Sequence, residues 1–260
     1  MRIVSFVARG RAKYGLLTEN NISGFRGSPF SHLENLSSPS ILDGSNYAPD
    51  KVRLLAPCLP SKIICLGLNY RSHIEEMKLP VPTIPLIFLK PSTAIIGPDD
   101  KIVLPRDWKR IDYEGELGVV IGKKAKDVPE EEAKEYVLGY TCFNDVSDRH
   151  AQAADGQWTR AKSHDTFAPI GPWIETEVNP DNLKLETYLN GELRQSASTS
   201  DLIFGISRLI SFISGVMTLL PGDVIATGTP SGIGPMNPDD VVEVKIENIG
   251  TLKNFVAAPD

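Results

Sequence analysis

The stretch Ile111–Gly122, reading Ile-Asp-Tyr-Glu-Gly-Glu-Leu-Gly-Val-Val-Ile-Gly, restricts what this chain can fold into more than any other. Its second half is rich in Val and Ile and stops at Gly122 before Lys123 and Lys124, which predicts a β-strand. Side chains alternate along a strand, so Glu114 and Glu116 face the same way, with Asp112 on that side at the entry. Two readings are open. A solvated strand face carries acidic residues without difficulty. A buried face does not: adjacent carboxylates repel, so one takes up a proton or a positive charge sits between them. A divalent cation meets that need, and oxygen-only ligands suit Mg²⁺, Mn²⁺ or Ca²⁺ rather than zinc.

Other residues supply partners for such a site. Asp145 lies just past the strand-like run Val137–Phe143, in a polar turn, and is the natural third ligand. Three carboxylates leave about half of an octahedral shell for water or substrate oxygens. Asp148, in the same turn, reads as a backbone cap. His73 and Glu76 are spaced i, i+3, so on a helical turn they touch, and a carboxylate on imidazole fixes the tautomer and raises basicity. The pair is either a water-activating dyad or two surface neighbours. Lys162, in the loop-like passage Gly156–Gly171, is either solvated or a cation for an enolate or a substrate carboxylate. Arg149 and Gln152, which share a face if that segment is helical, have the same two readings. The glycine-rich run Thr227–Gly234 follows a strand but lacks Gly-Lys-Ser/Thr, so it is no P-loop; it is a tight loop, or a grip on a carboxylate through its N–H groups and Thr229. No GxSxG, HExxH or Cys/His pair suggests another chemistry.

The rest of the chain sets the frame. Hydrophobic content of 41% allows a core, and a net charge of −6 without a basic cluster argues against nucleic acid. Three cysteines without CxxC spacing suit a reducing cytosol, and no signal peptide is visible. Leu202–Leu220 carries Arg208 on one side and Ile203, Ile206, Leu209, Ile210 and Ile213 at helical spacing, so it reads as an amphipathic core helix and not a membrane span. Residues 1–60 read as a small α+β module: a hairpin of Ile3–Ala8 and Tyr14–Leu17, loops with one short helix over Ser23–Pro49, and a strand Val52–Leu55. Residues 61–260 read as a second domain of many short strands, including Lys62–Leu68, Leu86–Leu89, Leu183–Asn190, Asp223–Ala226 and Val241–Ile246, with a helix over Pro129–Tyr136 and a hairpin turn at Asn190-Gly191. The fold class is α+β, mostly β.

Seven pieces in order resemble the fumarylacetoacetate hydrolase family. They are Gly67-Leu68-Asn69-Tyr70 with His73 and Glu76; Phe88–Ser92; Asp112–Leu117; Asn144-Asp145 with Arg149 and Gln152; Gln157–Lys162; Asn190-Gly191; and Thr227–Gly234. The resemblance spans residues 60–256 and implies a mixed β-roll catalytic domain, commonly a homodimer. It implies Mg²⁺ or Mn²⁺ held by Glu114, Glu116 and Asp145, and a His73–Glu76 dyad on a lid. It places Lys162, Arg149, Gln152 and Thr229 at the oxo-acid end of a substrate. The expected activity is metal-dependent C–C cleavage, by hydrolysis or decarboxylation, of a 2-oxo acid bearing a β-carbonyl or β-carboxylate; the alternative is isomerisation or decarboxylation of 2-hydroxy-dienoic diacids. The expected location is the cytoplasm, with no membrane partner.

Overall fold

A computed structural model describes residues 1–31, 36 and 38–259. Strands dominate it, as the sequence pattern predicts. Four short α-helices interrupt them: α1 (Arg71–Met77), α2 (Arg149–Asp155), α3 (Thr159–Lys162) and α4 (Ile206–Val216). Twelve strands form one sheet, which runs from Leu42–Tyr47 through Arg2–Ala8, Ala168–Glu175, Val137–Asn144, Gly115–Ile121, Val224–Ala226 and Ile63–Leu66 to the edge strand Ile87–Lys90. A five-stranded sheet centred on Lys184–Leu189 and Val241–Ile246 and a three-stranded sheet around Ile111–Tyr113 complete the frame.

Every residue of Gly115–Ile121 is buried, so the solvated reading of the acidic strand is wrong. One face carries Leu117, Val119 and Ile121 into a core shared with Leu185, Val244 and Ile246 of the five-stranded sheet and with Leu209, Ile210 and Ile213 of α4. Each such side chain contributes about 1.5–3 kcal/mol by leaving water. The other face carries Val120 against Ile63, Cys65, Phe143 and Val224. Alternation puts Glu116 on this second face, in line with Val120. The helix expected over Leu202–Leu220 is α4, shorter and amphipathic as read, and among the described residues no helix is long and apolar enough to cross a membrane.

Three local expectations need correction. Ser23–Pro49 is not only loop: Ile22–Phe25 and Leu42–Tyr47 are paired strands, and 3₁₀ turns flank them, while residues 32–35 and 37 of that passage lie outside the described residues. These strands hide from pattern reading because polar residues run through them, as with Ser23 opposite Asn46 and Asp43 held by Lys13. Gly156–Gly171 is not loop-like throughout, since it holds α3 and the start of Ala168–Glu175, a strand whose Pro169 and Pro172 mask its pattern. The strand expected over Tyr14–Leu17 begins earlier, at Arg11, while the helix expected over Pro129–Tyr136 is present as a 3₁₀ helix from Glu130.

Candidate metal centre

The acidic stretch is two strands with a break at Glu114. Ile111–Tyr113 pairs with Ser147–Asp148, and Gly115–Ile121 pairs with Val137–Asn144. Gly115 stands opposite Asn144, so Glu114 and Asp145 meet just beyond the last rung. The Asp145 N–H donates to the Glu114 carbonyl at 2.9 Å, and the Glu114 N–H donates to Asn144 Oδ1 at 2.9 Å. Side chains brace Gly115 itself. Its N–H donates to Gln195 Oε1 (3.0 Å), the Thr229 hydroxyl donates to its carbonyl (2.9 Å), and Gln195 Nε2 donates to Thr229 Oγ1 (2.8 Å), which closes a ring. A Cβ on residue 115 would lie 2.0 Å from Thr187 Oγ1, so only glycine fits.

The break turns Glu114 toward Glu116 and Asp145. One oxygen from each lies within 4.8 Å of the others, and all three residues are buried. Glu116 Oε2 accepts the Gly228 N–H at 2.8 Å. Gly228 has φ +97°, and an added Cβ would lie 2.8 Å from Asn69 Cβ, so this N–H is delivered by a backbone that favours glycine. Glu116 Oε1 is buried with no hydrogen-bond partner among the described residues. Burial, then the charges of Asp145 and Glu114, push the Glu116 carboxyl well above the usual carboxylate range.

Cations enclose the cluster. Lys162 Nζ donates to Glu114 Oε2 (2.9 Å) and Asp145 Oδ2 (2.7 Å). Lys90 Nζ pairs with Asp145 Oδ1 and donates to the Val146 carbonyl at 3.0 Å. Arg149 spans Glu114 and Asp112, the latter at 2.8 Å. Burial raises the Glu114 carboxyl, but Lys162 and Arg149 together outweigh burial and hold it far below its ordinary value. Burial likewise lowers the Lys162 ammonium, and Asp145 and Glu114 reverse the sign, so it stays charged. Four carboxylates therefore face three sequestered cations, and one carboxylate oxygen is orphaned. An all-oxygen donor set with an orphaned buried oxygen fits a hard divalent cation.

The other sequence candidates fall around this cluster. His73 lies on α1 with Nδ1 3.1 Å from Glu76 Oε2, at the i, i+3 spacing expected. The Gly232 N–H donates to Glu76 Oε1 (3.0 Å) and the Ser231 N–H to Ser72 Oγ (3.3 Å), so α1 is docked on the glycine-rich loop. His73 lies near enough to add to the lowering of the Glu114 carboxyl, after Lys162 and Arg149. Gln152 Oε1 accepts from Arg149 Nη1 at 2.8 Å across one turn of α2. Asp148 caps α2 by accepting the Ala151 N–H at 3.0 Å, the role its position suggested. Lys162 ends α3 rather than sitting in open loop. Sequence reasoning gave no role to Lys90 or Gln195. The available signal for Lys90 was its place at the end of a strand, within the matched piece Phe88–Ser92; Gln195 offered none.

A family model described as fumarylacetoacetate (FAA) hydrolase C-terminal matches residues 62–257, and one described as Rv2993c-like, N-terminal matches residues 1–57. A 5-carboxymethyl-2-hydroxymuconate delta-isomerase from Mycobacterium smegmatis superposes with TM-score 0.91 at 44% identity, covering 99% of this chain and 100% of that one. Maleylpyruvate hydrolase from Sphingobium sp. SYK-6, in complex with manganese(II) ion and pyruvate, superposes with TM-score 0.84 at 31% identity over 100% of both chains. The mitochondrial oxaloacetate tautomerase Fahd2a of Rattus norvegicus is 42% identical over 218 residues, 79% of this chain and 70% of that protein.

Proposed function

The chain belongs to the fumarylacetoacetate hydrolase family, and from that premise we propose that it is a divalent-metal-dependent enzyme cleaving a C–C bond of a 2-oxo acid that bears a β-carbonyl or β-carboxylate. The observation that carries this reading is the buried Glu114–Glu116–Asp145 cluster with its orphaned oxygen. Mg²⁺ or Mn²⁺, if held by Glu114, Glu116 and Asp145, would supply a Lewis acid at the oxo-acid end of the substrate. Lysine has three N–H donors, and Lys162 spends two on Glu114 and Asp145; the third meets the oxygen on which enolate charge develops. Arg149, fixed by Asp112 and Gln152, orients the oxo-acid end. Thr229 belongs to this end too, through a hydroxyl that already holds Gly115. Glu76 accepts from His73 Nδ1, which leaves Nε2 to take a proton from water as it attacks the distal carbonyl.

A second reading has one specific support, the isomerase from M. smegmatis that covers 99% of this chain. On that reading the substrate is a 2-hydroxy-dienoic diacid, and the same groups move a proton without cleaving a bond. The apolar residues Leu86 and Leu89, exposed beside and on the edge strand Ile87–Lys90, support a homodimer, and three unpaired cysteines support a cytoplasmic location. Residues 1–60 form a small N-terminal domain stitched to the catalytic body where Arg2 and Ile3 pair with Glu175 and Ile174.

Ultraviolet loss of a short acylpyruvate tests the assignment, with oxaloacetate alongside, each with Mn²⁺ and then with chelator. Metal-dependent loss of the acylpyruvate is expected, and His73→Asn should slow it at least about 100-fold while sparing any decarboxylation of oxaloacetate, since only hydrolysis needs a base for water. Loss of oxaloacetate alone would make the protein a decarboxylase. Inertness toward both would overturn the cleavage reading in favour of the isomerase.

A further inference from the structure

Among the described residues, Arg110 pairs at the edge of the cluster with Asp112, a carboxylate that Arg149 already neutralises. Asp112, Glu114, Glu116 and Asp145 face Lys90, Lys162 and Arg149, and a divalent cation converts their single negative excess into a single positive one. One substrate carboxylate neutralises that charge. Arg110 is then surplus. Its Nε and Nη2 donate to Asp112 at 2.9 and 3.1 Å, but Asp112 is already paired with Arg149. Its Nη1 has no partner among the described residues, and its side chain is 53% exposed.

Its position is as specific as its charge. Arg110 and Arg149 both pair with Asp112, and Arg149 also pairs with Glu114, so these residues form a row of ion pairs leading outward from the acidic cluster. Arg149 lies along that row, and its N–H donates to the Arg110 carbonyl at 3.0 Å. Lys109 Nζ, 3.2 Å from His150 Nε2, adds positive charge on the outer side. Glu76, the acidic group facing Arg110 from α1, is occupied by His73 and the Gly232 N–H. A chain of net charge −6 thus presents a half-exposed guanidinium, joined to the acidic cluster through Asp112 and Arg149.

We propose that Arg110 is a specificity-determining residue that receives the second carboxylate of a dicarboxylic 2-oxo acid. This rests on the metal-dependent 2-oxo acid reading above and narrows its substrate class to diacids. A guanidinium presents two parallel N–H groups, which suit a carboxylate and give nothing to a methyl group at the same place.

Calorimetric binding of 2-oxoglutarate and 2-oxopentanoate, equal in chain length and different only in the terminal carboxylate, tests it. Each is titrated into wild type, R110Q and R110K, with Mn²⁺ and with chelator. Wild type with Mn²⁺ should prefer the diacid at least about tenfold, the discrimination of a charge-assisted hydrogen bond. R110Q should lose that preference with its affinity for 2-oxopentanoate unchanged, and R110K should keep part of it. Mn²⁺-dependent binding of both acids without preference, or with a preference R110Q retains, would overturn the role of Arg110 alone. Binding that ignores Mn²⁺, or no binding, would overturn the metal-dependent reading as well.

Discussion

Replacing Glu116 with glutamine should stabilise the metal-free protein, by an amount that grows with pH. The carboxyl of Glu116 titrates well above 4.5 in the folded chain, because burial, Asp145 and Glu114 all disfavour its charge. In the unfolded chain it titrates near its ordinary value. Between the two, the folded protein holds a proton that the unfolded one has released, so wild-type stability falls as pH rises above about 4.5, by at most about 1.4 kcal/mol per pH unit. Glutamine has no proton to lose, and the difference between the two proteins isolates this slope from every other titrating group. Saturating Mn²⁺ should reverse the order, since a cation that binds only the folded wild type stabilises it by mass action. Urea unfolding of both proteins at several pH values, with Mn²⁺ and with chelator, measures this. Equal stabilities throughout would mean that Glu116 is not the strained carboxylate described above.

The second large effect is on turnover. Lys162→Met should lower kcat about 10²- to 10³-fold with little change in KM, the usual loss when one donor to a developing oxyanion is removed. The same change removes the cation shared by Glu114 and Asp145, both buried. Lys90 still pairs with Asp145 and Arg149 with Glu114, but two buried ion pairs are broken, so metal-free Lys162→Met should lose about 3–5 kcal/mol of stability. Mn²⁺ should restore much of that stability and none of the turnover. This split separates a chemical role from a structural one. Full turnover in the metal-loaded variant would remove Lys162 from the mechanism.

The acidic triad was legible because two local rules suffice for it. Strand alternation puts Glu114 and Glu116 on one side, and a polar turn after an apolar strand offers Asp145. That Glu114 and Asp145 meet depends on Gly115 pairing with Asn144, a long-range register that no local rule gives. Lys90 was not legible as a site residue. A lysine between a strand and a proline reads as a solvated strand end, and only the neighbouring turn, which brings Asp145 and the Val146 carbonyl to it, makes it a buried partner. Gln195 lies in the half-exposed strand Glu192–Ser198 and is itself buried, because the five-stranded sheet brings that one side chain to the break at Gly115. Thr229 shows the opposite limit. Its place in a glycine-rich loop suggested a ligand grip, and its hydroxyl donates to the backbone at Gly115, between Glu114 and Glu116. Sequence reading also missed the polar edge strands of the first 60 residues and the proline-bearing strand Ala168–Glu175, whose stability comes from pairing rather than from alternation.

The central claim is that Glu114, Glu116 and Asp145 hold one divalent cation. Electron paramagnetic resonance of Mn²⁺ titrated into the metal-free protein tests it most directly, because the sharp signal of the free aqueous ion broadens on binding. The account predicts one bound Mn²⁺ per chain in wild type and affinity reduced at least about 100-fold in Glu116→Ala, a protein that stays folded. Wild type that leaves all Mn²⁺ free, or Glu116→Ala that binds it unchanged, would contradict the account.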